Sequence, residues 1–236
     1  MDLSPISPIT EASGDELARQ NLSLSQKAYE LIRSRIVSLN LPPGMILDES
    51  RLQVELGLGR TPIREALQRL ALEKLVMIIP RRGIFVAEIS IEDLQQLFEV
   101  RIVLEGLAAR LAAQRGTASH WKQMQEVIHL LDSNRDVGLN ELLTIDESCH
   151  QIIYNAANND LLADSLLNLY ALSRRLWIYL NISHEDTCSW LGEHIALLAA
   201  LKAGDDDSAS LLMERHIQSF HKHIRGAVLG APSPTR

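Results

Sequence analysis

Apolar and polar positions divide the chain into two regimes, one of short helices, turns and a strand pair up to about residue 90, and one of uninterrupted helical periodicity after it. Over Gln26 to Leu39 the residues Ala28, Leu31, Ile32 and Leu39, with Ile36 between, keep helical spacing, and Ser25 suits the N-cap. Pro42-Pro43-Gly44 ends that helix. A second short helix is expected from about Asp48 to Leu56, with Asp48, Glu49 and Ser50 in its N-terminal turn. After Gly57-Leu58-Gly59 a third helix runs to about Lys74, with Thr61 as N-cap, Pro62 at the first helical position, and Ile63, Ala66, Leu67 and Leu70 on one face. Val76 to Pro80 and Ile84 to Ala87 read as two short strands joined by the basic turn Arg81-Arg82-Gly83. Three helices, a glycine turn between the second and third, and a hairpin describe a winged helix-turn-helix.

From residue 91 onward six helical segments are expected, at about 91–115, 118–133, 137–157, 160–182, 186–203 and 206–228, separated by Gly116, Gly138, Asn158-Asn159 and Gly204-Asp205. Short connections imply antiparallel neighbours. In the first segment Leu97, Val100, Leu104, Leu107 and Leu111 step by three and four, which predicts its buried face. The fold class is therefore mainly α: residues 1–20 as a disordered arm, 21–88 as the winged helix-turn-helix, 91–228 as an all-helical bundle, and 229–236 as a frayed tail.

Composition narrows the functional classes. Of 236 residues, 46% are apolar but only 10 are aromatic, which favours helices packed on helices over a β-sandwich. Cys149 and Cys188 form neither a disulfide framework nor a metal-binding C-x-x-C pair, so a reducing cytoplasm is the expected compartment. The first 20 residues lack the basic and apolar regions of a secretory signal. Asp164, Arg174 and Arg175 interrupt the most apolar stretch, Leu161 to Leu180, so no membrane partner is expected. The net charge of −7 argues against nucleic acid until it is divided. Residues 21–90 carry 10 basic and 7 acidic groups, while residues 91–236 carry 12 and 19. The positive segment coincides with the helix-turn-helix.

Arg60, Thr61 and Arg64 cluster in the first turn of the third helix, where a recognition helix meets base edges in the major groove of double-stranded DNA. An arginine can donate two hydrogen bonds to guanine O6 and N7, and the threonine hydroxyl suits a phosphate. Arg81 and Arg82 at the wing tip are placed for the minor groove or flanking phosphates, and Gly83 lets the turn approach the duplex. Each basic residue taken singly is as readily a solvated side chain; their coincidence with a helix start and a hairpin is what points to DNA.

All eight histidines follow residue 119. Asp146 and His150, spaced i, i+4, share a helix face, although such pairs are common at surfaces. If the last two helices form a hairpin turning near Gly204, His194 and His216 lie roughly 15 and 18 Å from the turn and come level. Three imidazoles and one carboxylate suit a divalent transition ion, zinc foremost, with nickel or manganese as alternatives.

The run LGLGRTPIREALQRLALEKLV followed by PRRGIFVA resembles the signature of the GntR family of bacterial transcriptional regulators, over about 65 residues. The resemblance implies operator binding as a dimer, with Arg60, Thr61 and Arg64 at recognition-helix contact positions and Gly83 at the wing glycine. Two departures stand out. Gly59 replaces the usual serine, and Ser50 occupies a position where an arginine often contacts DNA, leaving Arg51 as the substitute. The C-terminal part resembles the FCD effector domain of the FadR-like subgroup in its six-helix, VanR-like form. That resemblance implies a metal held by Asp146, His150, His194 and His216, a small carboxylate effector beside it, and Arg101 facing the cavity. Arg101 is equally well placed for an ion pair with Glu105 at i, i+4. Arg174, Arg175, Trp177 and Tyr179 could border the same pocket.

The expected function is a homodimeric, ligand-responsive repressor reading a pseudo-palindromic operator. The alternative is a hydrolase-like metal enzyme, since a histidine site with open positions activates water. Against it, the chain has no H-E-x-x-H and no His-Asp dipeptide. A third reading has the metal only stapling helices together.

Overall fold

The computed structural model describes residues 23–133, 138–180 and 184–230. It divides into two compact units, the larger comprising Val37–Asn40 and the chain from Glu88 onward.

The first unit is three helices and a hairpin: α1 (Leu24–Val37), α2 (Glu49–Leu56), α3 (Arg60–Leu72), β1 (Val76–Ile79) and β2 (Gly83–Val86). Ala28, Ile32, Ile36, Leu52, Ile63, Leu67, Leu70, Leu75 and Val86 form its core. Helix starts differ in detail from expectation. At α1 the cap is Ser23, whose Oγ accepts from the Gln26 N–H at 3.1 Å, so Ser25 lies inside the helix. Asp48 caps α2 as expected, its carboxylate accepting from the Ser50 and Arg51 N–H groups. At α3 the cap is Gly59, with no side-chain cap bond, and Thr61 and Pro62 fall within the first turn. Proline is tolerated there because none of the first N–H groups has an intrahelical acceptor. The strands pair antiparallel from Val76↔Val86 to Ile79↔Gly83, leaving Pro80, Arg81 and Arg82 as the tip. The Arg82 N–H donates to the Ile79 carbonyl at 3.0 Å, and Arg81 adopts a left-handed φ of 64° to close that turn.

The second unit is helical among the described residues: α4 (Ile91–Arg115), α5 (Ala118–Ser133), α6 (Leu139–Ala157), α7 (Asp160–Tyr179), α8 (His184–Ala203) and α9 (Asp206–Gly230). These bounds follow the sequence expectation closely, α9 reaching two residues into the predicted tail. α9 lies along α4, and α8 and α9 pack together across a turn at Gly204, which takes φ 68°. At Gly106 a Cβ would stand 2.6 Å from Glu214 Oε1 and 2.8 Å from its Cγ, so the glycine leaves room for that α9 side chain against α4.

The buried face of α4 is not the predicted one. Leu94, Phe98, Arg101, Glu105, Ala108 and Ala112 face inward, whereas Val100, Val103 and Leu107 are 50, 65 and 41% exposed. The helix buries the charged pair Arg101 and Glu105 and turns an apolar stripe outward. The inward charges are tolerated because they pair. No described helix is long and apolar enough to cross a membrane.

Candidate metal centre and DNA-reading surface

α6, α8 and α9 bring Asp146, His150, His194 and His216 together as a buried group whose candidate ligand atoms all lie within 4.8 Å of one another. The Nε2 atoms of His150, His194 and His216 stand 3.9, 3.7 and 3.8 Å from the same oxygen, Asp146 Oδ1. His150 Nε2 and His216 Nε2 are 3.4 Å apart. Bonds of about 2.1 Å in a tetrahedron set donors roughly 3.4 Å apart, so a modest contraction would seat one ion. His194 and His216 come level, with ring centroids 4.5 Å apart, as the hairpin of α8 and α9 requires.

Carboxylates hold two of the rings from behind. His150 Nδ1 faces Glu105 Oε2 at 3.0 Å, and His216 Nδ1 faces Glu193 Oε2 at 2.8 Å. An ionised carboxylate only accepts, so each Nδ1 carries the proton and each Nε2 presents a lone pair to the centre. Two bare lone pairs at 3.4 Å repel, and a cation between them removes that cost. The Tyr170 hydroxyl donates to Asp146 Oδ2 at 2.7 Å, leaving Oδ1 turned to the histidines. Burial raises the Asp146 and Glu105 carboxyls, but neighbouring histidines, with Arg101 beside Glu105, outweigh it and hold both at about 2. The donor set thus fits a divalent transition ion.

Arg101 is buried and pairs through Nε with Glu105 Oε1 at 3.0 Å, its guanidinium 5.0 Å from the Tyr170 ring centroid. It therefore meets the site through Glu105. Arg174 pairs with Glu147, Arg175 and Trp177 are buried, and Tyr179 is exposed. Glu105, Tyr154, Tyr170 and Glu193 were not singled out from the sequence as parts of the site. The available signal was Glu105 and Arg101 lying on the helical period of Leu94, Phe98, Ala108 and Ala112, an ion pair where apolar residues belong. Among the other histidines, His120 Nδ1 accepts the Thr117 N–H and His223 Nδ1 meets the Ser219 carbonyl, both local helix contacts.

In the first unit Arg60, Thr61 and Arg64 are all exposed on the first turn of α3. Glu49 of α2 gathers the two arginines: Arg64 Nε lies 3.0 Å from each of its oxygens and Arg60 Nε 3.8 Å from one. Arg51 pairs with Glu55 at 2.6 Å, and Glu55 also takes Arg35 at 2.7 Å. Arg81, Arg82 and Gly83 are exposed at the wing tip.

Residues 24–86 match the family of bacterial regulatory proteins called gntR, and residues 96–219 match the FCD domain. The chain belongs to the GntR family. It is 28% identical over 207 residues to the HTH-type transcriptional repressor RspR of Escherichia coli (strain K12), covering 86% of this chain and 89% of that protein. With the Nta operon transcriptional regulator of Aminobacter aminovorans it shares 30% identity over 201 residues, 81% and 92% of the two chains. The fold is that of E. coli McbR/YncC, at a TM-score of 0.77 and 23% identity over 88% of this chain and 98% of the other. As a GntR-family transcriptional regulator with an FCD domain, the protein is related to regulators and not to enzymes, which sets aside the hydrolase alternative.

Proposed function

We propose that this GntR-family regulator is a homodimeric repressor whose affinity for a pseudo-palindromic operator responds to a small carboxylate bound beside a divalent metal ion. The observation that carries the reading is the convergence of Asp146, His150, His194 and His216 on one point inside the FCD unit. A transition ion there, zinc or alternatively nickel or manganese, would be held by four protein donors. An effector carboxylate then requires an ion that accepts a fifth or sixth donor, as nickel and manganese do readily and zinc does by expansion. Arg101, joined to the site by Glu105, adds positive charge next to it. On the DNA side, Arg60, Thr61 and Arg64 read base edges or phosphates from α3, Arg81, Arg82 and Gly83 serve the wing, and Arg51 supports α2 at the backbone. The name of the relative RspR favours repression.

Dimerisation is supported by α4. Leu97, Val100, Leu104, Leu107 and Leu111 keep helical spacing, yet Val100 and Leu107 are exposed, so the stripe meets no full partner among the described residues of its own chain. A second copy crossing α4 would cover it.

Coupling requires the effector to bind the operator-competent and operator-incompetent forms with different affinity. Thermal melting against a panel of small carboxylic acids, on metal-loaded and chelator-treated protein, tests the reading. An acid that raises the melting temperature only with metal present supports it. The complete burial of all four donors favours a second reading, in which the ion only staples α6, α8 and α9. Stabilisation by metal with no response to any acid would select that one.

A further inference from the structure

The carboxylate of Glu105 is divided between two kinds of neighbour. Its Oε1 accepts from Arg101 Nε at 3.0 Å and from the Tyr154 hydroxyl at 2.8 Å. Its Oε2 faces His150 Nδ1 at 3.0 Å, and all four residues are buried. A guanidinium has no acceptor, so whatever side chain stands at position 105 must place an oxygen against Arg101. A carboxylate then still offers a second oxygen to His150. The proton stays on Nδ1, and Nε2 is left bare toward Asp146 and His216.

We propose that Glu105 is a positioning residue of the metal centre: anchored by Arg101, it fixes the tautomer of His150 so that Nε2 is available to a divalent ion. The proposal rests on the metal reading above and adds a residue outside the four ligands. It has a sharp consequence. In Glu105→Gln the amide oxygen must sit where Oε1 was, so the amide NH2 faces His150 and donates to Nδ1. The imidazole proton then moves to Nε2 and points at the other three donors. A side chain of the same shape thus inverts the tautomer and blocks a ligand position. Tyr154→Phe, in contrast, removes a hydrogen bond from the same carboxylate but leaves the pair of Glu105 with His150 intact. A role in packing alone would make the two variants alike in metal binding.

The test uses the full chain stripped with a chelator. Co2+ alone is titrated and read by its visible absorption, Zn2+ affinity is measured by competition with a chromophoric chelator, and the metal-free forms are melted. Expected is a loss of about 10- to 100-fold in Zn2+ affinity for Glu105→Gln, the scale on which such partners act, with altered Co2+ bands and a lower metal-free melting temperature, because the amide leaves the buried Arg101 charge unpaired. Tyr154→Phe stays within a few-fold. Nitrogen NMR of the imidazoles in metal-free wild type provides a readout that needs no variant, and His150 should be protonated at Nδ1. Wild-type affinity and spectrum in Glu105→Gln, an equal loss in Tyr154→Phe, or a proton on His150 Nε2 would each overturn the role of Glu105 while leaving the metal reading standing. Failure of the wild type to bind either ion would overturn both.

Discussion

Arg64 rests its guanidinium Nε midway between the two carboxylate oxygens of Glu49, 3.0 Å from each, so α3 holds the side chain proposed to read a base against the helix before it. The same carboxylate lies 3.8 Å from Arg60. If Arg60 and Arg64 contact DNA as proposed, Glu49 competes with it for both, and must release or share them when phosphates or guanines arrive.

Two substitutions separate reading from restraint. Arg64→Ala should cost about 1–3 kcal/mol on a sequence selected from a random DNA pool if Arg64 contacts a base. Glu49→Gln should raise affinity a few-fold on selected and unselected DNA alike, because it removes a competing anion and no base contact. Fluorescence anisotropy at several salt concentrations measures both. Undiminished binding by Arg64→Ala would remove it from the reading set, and weaker binding by Glu49→Gln would mean that orientation outweighs competition.

Metal removal should be felt in the FCD unit. An ion present at 100 times its dissociation constant adds about 2.7 kcal/mol, which for a unit of this size raises the melting temperature by roughly 5–10 °C. Chelator treatment should reverse that gain in the wild type. His194→Ala, which removes the donor from α8, should melt at the same temperature with and without chelator. A chelator response that survives in His194→Ala would place the ion elsewhere.

The parts of this architecture that local rules govern were legible in the sequence, and the parts set by tertiary pairing were not. Gly and Asn punctuation located four of the five junctions between the helices of the FCD unit, and the level of His194 and His216 followed from counting outward from Gly204 at a fixed helical rise. Two helix caps lay two residues from expectation, Ser23 in place of Ser25 and Gly59 in place of Thr61, while Asp48 caps α2 as expected. The inward face of α4 was misread for a deeper reason. Periodicity marks where apolar residues lie, but Arg101 and Glu105 are buried by each other and by His150 and Tyr154, partners on another helix 45 or more residues from Glu105. No single-helix pattern contains that information.

Alkaline pH should destabilise the FCD unit through two tyrosines. Burial first, then the carboxylates they serve, Glu105 for Tyr154 and Asp146 for Tyr170, push both phenols well above their usual range. A pKa raised on folding stabilises fully below the unfolded value near 10 and is lost as pH climbs past it, because only the unfolded chain then releases the protons. Each tyrosine should steepen the fall in stability by about 1.4 kcal/mol per pH unit above roughly pH 10, and Tyr170→Phe should make the fall shallower. Denaturant melts followed by circular dichroism, with tyrosinate absorbance recorded alongside, measure this. Tyrosinate absorbance from Tyr154 and Tyr170 appearing well before unfolding would contradict the assignment.

The outward stripe of α4 makes the prediction that bears most directly on operator symmetry. Val100 and Leu107 sit seven residues apart on a helix that buries Arg101 and Glu105 and leaves these two apolar residues exposed. In a monomer, replacing either by glutamate touches an exposed position and should change stability by no more than about 0.5 kcal/mol. In a dimer closed over this stripe, the same change places two carboxylates against apolar surface, once on each side of a two-fold axis, and so counts twice per dimer. Sedimentation velocity across a concentration series should therefore show a dimer for the wild type and a shift to monomer for Val100→Glu combined with Leu107→Glu, with the helical circular dichroism retained. The monomeric variant should also lose most of its affinity for a two-half-site DNA fragment while still binding a single half-site weakly. A variant that remains dimeric would put the interface on another face, and a wild type that sediments as a monomer at all concentrations would remove the dimer from the proposed function.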